Sequence, residues 1–146
     1  MKKTTFQLAA CLIAMGAFAQ GVFAQDLKEK DVPSVVRTAL AKQFPAAAKV
    51  SWEKEKGNYE ANWGGKSGED NSAQFTAAGG FVEIVRAIPV ASLPANVATY
   101  VSAHYKGAKI KEAGKVTDAS GKESYEAEIK GKDLIFDLKG NFVKED

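Results

Sequence analysis

Apolar residues recur at helical spacing in two places along the chain. Val36, Leu40 and Phe44 stand four apart, with Val35 and Ala39 beside them on one face, and Val97, Val101 and Tyr105 repeat that stripe further on. Each stripe predicts an amphipathic helix. Asp31 and Ser92 stand where N-caps are expected, Pro33 and Pro94 fall in the first turn, and Pro45 stops the first helix. After each helix the period drops to two. Val50 and Trp52 alternate with Ser51 and Glu53; Tyr59, Ala61 and Trp63 with Asn58, Glu60 and Asn62; Ala73, Phe75 and Ala77 with Gln74 and Thr76. Later, Tyr125, Ala127 and Ile129 alternate with Glu126, Glu128 and Lys130, and Leu134, Phe136 and Leu138 with Asp133, Ile135 and Asp137. Each run predicts a strand with one face for a core and one for water.

The two halves match in detail. Pro33, Val36, Phe44, Phe75, Gly79, Phe81 and Val82 return 61 positions later as Pro94, Val97, Tyr105, Phe136, Gly140, Phe142 and Val143, and Tyr59-Glu60-Ala61 returns as Tyr125-Glu126-Ala127. This predicts one duplicated supersecondary unit whose copies complete each other's core. Short glycine-bearing turns, Lys56-Gly57-Asn58, Ala78-Gly79-Gly80, Gly131-Lys132-Asp133 and Lys139-Gly140-Asn141, force antiparallel neighbours. The expected fold is therefore α+β: a tandem repeat of one helix plus a four-stranded antiparallel meander, at about residues 31–88 and 92–146. Together the copies give one antiparallel sheet with two helices on one face. Residues 25–30 read as a loose polar lead-in. Two tips are longer than the rest, around residues 64–71 and 117–122, and long tips are where function is often grafted.

The N-terminus changes the picture of compartment. Lys2 and Lys3 precede an apolar run and small residues at Ala17, Ala19 and Ala24, the pattern of a cleaved secretory signal over residues 1–24. Cleavage is expected after Ala24, with Ala19 as the second choice. Cys11 lies too early in the run to serve as a lipobox cysteine, so no lipid anchor is expected. It is the sole cysteine, and its loss leaves no disulfide or thiolate chemistry. Residues 25–146 are expected to form a single domain, with no integral membrane segment after the signal.

Two lysines and no acid leave with the signal, so 18 basic residues of the original 20 face 18 acidic ones. Without a basic excess, no nucleic-acid partner is expected.

A helix opened by proline, a Tyr-Glu-Ala strand and a closing hairpin of aromatic-x-x-x-Gly-x-Phe-Val, each present twice, resemble the PepSY-like family of secreted Gram-negative bacterial proteins. Their fold is similar to that of the beta-lactamase inhibitory protein. The resemblance covers about residues 31–146 and implies a periplasmic, non-enzymatic role as a protein-binding or inhibitor-like module.

No catalytic residue, cofactor or metal site is expected from the residues themselves. His104 is the lone histidine and aligns with polar Gln43, and no Gly-x-Ser-x-Gly elbow exists. Gly64-Gly65-Lys66-Ser67 lacks the first glycine of a phosphate-binding loop. The candidate binding surface is the open sheet face carrying Glu53, Glu60, Asn62, Gln74, Glu126, Glu128 and Lys130, suited to another periplasmic or envelope protein. The alternative is a calcium-sensitive or structural envelope protein. It would hold the cation in the long tips through Glu69, Asp70 and Asn71, or through Asp118, Ser120 and Glu123.

Overall fold

The computed structural model describes residues 25–146; the signal segment, its cleavage sites and Cys11 lie outside them. Helix α1 spans Ser34–Gln43 and helix α2 spans Ala95–His104. Both start from a proline N-cap, Pro33 and Pro94, with no side-chain capping bond. The fixed φ of proline pre-sets the helical entry. Asp31 and Ser92 do not cap the helices as expected; they close short 3-10 turns one step earlier, Glu29–Asp31 and Val90–Ser92.

Among the described residues nine strands follow one another in a single antiparallel sheet, each paired to its sequence neighbours. They are β1 (Gln25–Leu27), β2 (Ser51–Glu55), β3 (Asn58–Trp63), β4 (Asn71–Phe75), β5 (Phe81–Ala87), β6 (Glu112–Asp118), β7 (Glu123–Ile129), β8 (Lys132–Phe136) and β9 (Phe142–Glu145). The lead-in is thus not loose: β1 pairs with β2 from Gln25↔Lys54 to Leu27↔Trp52. The pairing uses backbone groups, and Leu27 packs against the core beneath α1.

The core lies under the helices in two parts. Val36 and Leu40 of α1 meet Trp52, Ala61, Ala73, Phe75 and Ile84, while Val97 and Val101 of α2 meet Ala127, Ile129, Leu134 and Phe136. The expected shared core is therefore two clusters, one beneath each helix. On the face between them the cross-strand pair Arg86↔Lys115 is polar, and the halves are joined instead by the β5–β6 ladder. Gly114 in that ladder has no room for a side chain, since a Cβ there would clash with Cγ1 of Val85.

Two apolar residues leave the faces that alternation assigned. Leu138 is 49% exposed because the chain leaves β8 after Phe136 and turns. Val35 is 47% exposed and lies over the Gly79 turn, where an added Cβ would meet Val35 at 3.0 Å.

Candidate functional site

The face opposite the helices is concave. Register places Glu53, Glu60, Gln74, Glu83 and Asp118 in one continuous row across β2 to β6. A second row runs Glu112↔Glu128↔Asp133 across β6 to β8, and Glu126 lies between Gly114 and Ile135. The sheet twists enough that Lys56, in the β2–β3 turn, comes within 3.4 Å of Asp146 beyond β9. That curl turns the face into a trough of about 280 Å³.

Among the described residues nine carboxylates line the trough, from Glu53, Glu55, Glu60, Glu69, Glu83, Glu112, Glu126, Glu128 and Asp133, and no lysine, arginine or histidine does. These are half of the chain's 18 acidic residues, so a near-neutral chain carries a strongly negative surface. Its centre is ordered by side-chain amides. Asn62 Nδ2 and Gln74 Nε2 donate to the two carboxylate oxygens of Glu60 at 3.1 and 3.0 Å. Asn62 is only 5% exposed, and this bond satisfies its donor in a site that would otherwise penalise it. The same face also has apolar patches: Val85 and Ala87 line the trough, and beside it Val116 and Ile135 are buried although they point away from the helices. The second face is therefore not simply for water.

The crowding of like charges is felt in their protonation. Burial, then Asp133, Glu83 and Glu60, push the Glu126 carboxyl up to about 8. Burial also raises Glu53, Glu55, Glu83 and Asp133, each reinforced by neighbouring carboxylates. Both effects disfavour the ionised form.

Of the surface residues expected from sequence, Glu53, Glu60, Asn62, Gln74, Glu126 and Glu128 come together in the trough. Lys130 does not. It sits exposed in the β7–β8 turn with φ 47°, because β7 ends at Ile129. Glu55, Glu83, Glu112 and Asp133 also line the trough without having been expected there, and so does Glu69, expected only as a cation ligand; extending the same alternation through β5, β6 and β8 would have found Glu83, Glu112 and Asp133.

The long tips use their polar groups internally. Asp118 Oδ1 accepts from the Ser120 and Lys122 backbone N–H groups at 2.8 and 3.0 Å and from Ser120 Oγ at 2.6 Å, and Glu123 pairs with Lys115 at 2.8 Å. In the other tip Asn71 Nδ2 donates to the Trp63 carbonyl at 3.2 Å. Among the described residues no group of three His, Cys, Asp or Glu side chains could hold a metal ion. His104 is exposed and stacks on Tyr100, with ring centroids 4.2 Å apart. Among the described residues no helix is long and apolar enough to cross a membrane.

Two helices on the convex face of one curled antiparallel sheet, with the concave face left open, define the class: an α+β protein built around a sheet surface. The family model described as "Putative beta-lactamase-inhibitor-like, PepSY-like" matches residues 23–64 and 65–144, and the chain belongs to that family. Solved structures share the fold. One from Bacteroides eggerthii, described as a putative periplasmic protein, is 20% identical, with a TM-score of 0.61 over 79% of this chain and 88% of that one. A DUF2874 family protein from Bacteroides uniformis is 20% identical, with a TM-score of 0.60 over 78% and 88%. A BLIP-like protein from Bacteroides fragilis is 18% identical, with a TM-score of 0.54 over 78% and 84%. Comparison with curated proteins gives no match.

Proposed function

We propose that this protein is a non-catalytic periplasmic binding module, exported by a signal peptide removed near Gln25, that receives a cationic segment of another protein in its acidic trough. The observation that carries the reading is the register. Glu53 is paired opposite Glu60, Glu112 opposite Glu128, and Glu128 opposite Asp133. Like charges directly opposite one another destabilise a sheet, so such pairs do nothing for the fold. They make sense on a face whose charge is completed by a partner. A trough with Val85 and Ala87 in its lining and walled by carboxylates suits a lysine- or arginine-bearing stretch, whose aliphatic stems pack while its heads meet the acids. The inhibitor-like description of the family supports protein binding rather than chemistry, and the two helix-plus-meander halves read as duplicated copies within one domain.

Fluorescence anisotropy with a labelled oligolysine peptide tests this. Residues 25–146 should bind it, bind oligoglutamate not at all, and lose affinity steeply with added salt. Replacing Glu53 and Glu128 together by glutamine should weaken oligolysine binding by roughly tenfold with the melting curve little changed. Equal binding by the double variant would refute the reading.

A further inference from the structure

A second cleft, of about 370 Å³, lies on the helix side of the sheet. Arg37, Leu40 and Ala41 share one face of α1 and border it together with Phe44 at the end of that helix, while the chain running on to Trp52 forms the other wall. Its floor is apolar and fixed. Leu40 and Trp52 are buried, and the Phe44 ring is held by Trp63 and Phe81, with centroids 5.3 and 5.9 Å away. Two cations stand at this floor, Arg37 from the helix and Lys49 from the loop, against one acid, Glu29. Arg37 gains little from the fold. Its Nε–H is buried with no hydrogen-bond acceptor among the described residues, which costs stability. Its Nη1 is 4.0 Å from Glu29, too far for a hydrogen bond and between two exposed side chains. Nor does a helix on this sheet require such residues. In the second unit, 61 positions on, Ala98 stands for Arg37, Ile110 for Lys49 and Ala113 for Trp52, and Ile110 packs against the core beneath α2.

We propose that this cleft binds a small organic carboxylate with an apolar body, taken as a free molecule and not as the end of a peptide. The site is separate from the acidic trough and does not depend on what binds there. The Arg37 side chain keeps 40% of its surface accessible, and a guanidinium meets a carboxylate through two parallel N–H bonds. Lys49 adds a second positive charge at the same opening, which Glu29 alone does not balance. With its carboxylate on Arg37, the ligand lays its apolar body over Leu40, Phe44 and Trp52, which are the surfaces a hydrocarbon or phenyl group would cover. The volume falls in the range of small-molecule pockets.

A heteronuclear NMR titration of residues 25–146 with 4-phenylbutyrate tests the site. Shifts should gather on the Arg37 Nε–H, on Ala41 and Ala47 and on the Trp52 indole, all at the cleft. The alcohol 4-phenylbutan-1-ol has the same body without the charge and should bind about tenfold more weakly. Arg37→Ala, a change to the residue type that position 98 already carries, should lose about tenfold in affinity for the acid and keep its melting curve. Arg37→Lys, which retains the charge but not the planar fork, should fall between the two. Lys49→Gln, in the exposed loop, should lose about threefold and gives a reading that does not touch the helix. Equal binding of acid and alcohol, shifts outside the cleft, or undiminished binding by both Arg37→Ala and Lys49→Gln would overturn the site. A peptide ending in a phenylalanine carboxylate that binds tenfold more tightly than 4-phenylbutyrate would overturn the assignment to a free small molecule.

Discussion

Glu126 shows how far a single residue's chemistry depends on its surroundings. It lies in a strand whose alternation puts it on the open face, where a glutamate would ordinarily be solvated and ionised. The curl encloses it among other acids instead, and its carboxyl is raised from 4.5 to about 8. The folded protein therefore holds a proton that the unfolded chain releases above about pH 4.5. Glu126 contributes stability that is fully present below about pH 4.5 and lost as pH rises through about 8. Chemical denaturation across that range should show wild-type stability falling by up to a few kcal/mol, and Glu126→Gln should remove most of the slope. An equal slope in the variant would mean another group carries it. At the acid end the lowered Asp118 and Asp137, held by turn hydrogen bonds, act in the opposite sense: their contribution is lost as pH falls. Phe75 and Phe136 are both fully buried, one in each cluster, and alanine at either should cost about 3–5 kcal/mol in denaturant melts.

At the scale of elements, residues whose energy is spent in packing were legible and those spent in backbone pairing were not. Both helical stripes, the interior faces of β3, β4, β7 and β8, and six residues of the trough follow from apolar spacing alone, because alternation fixes which face a side chain takes. β1 escaped because Gln25, Asp26 and Leu27 carry no alternating signal: they pair with β2, and Leu27 alone packs against the first core cluster. Lys130 and Leu138 were misplaced because their strands end one residue or two earlier than the alternation suggests. The curl, which turns a polar face into a trough, lies in the twist of the sheet, and that is not written in polarity. Asp137 carries a consequence of this kind. Alternation alone makes it a dispensable solvent-facing residue, yet its carboxylate accepts from the Lys139 and Asn141 backbone N–H groups at 2.9 and 2.8 Å and from Asn141 Nδ2 at 2.9 Å. Asp137→Ala should destabilise the β8–β9 turn by about 1–2 kcal/mol. Gly114→Ala should cost about 1–3 kcal/mol, because the new methyl group meets Val85. Urea melts of the two variants beside Gln74→Ala, which should be milder, check both.

Over the whole molecule, two core clusters are held in one body by the β5–β6 ladder from Glu83↔Asp118 to Ala87↔Gly114. Cutting the chain after residue 89 would expose β5 and β6 as long unpaired edges on halves too small to offset them. Residues 25–89 and 90–146 expressed separately should lack native amide dispersion by NMR, and mixing should restore it in part. The same continuity of the sheet is what gathers carboxylates from both halves into one trough, so binding there draws on the entire fold. The most direct test is a heteronuclear NMR titration of residues 25–146 with oligolysine peptide. The account predicts shifts concentrated on Glu53, Glu60, Gln74, Glu83, Glu126 and Glu128, with α1 and α2 unmoved. Shifts confined to the helices or to the surroundings of His104, or no shifts at low salt, would contradict it.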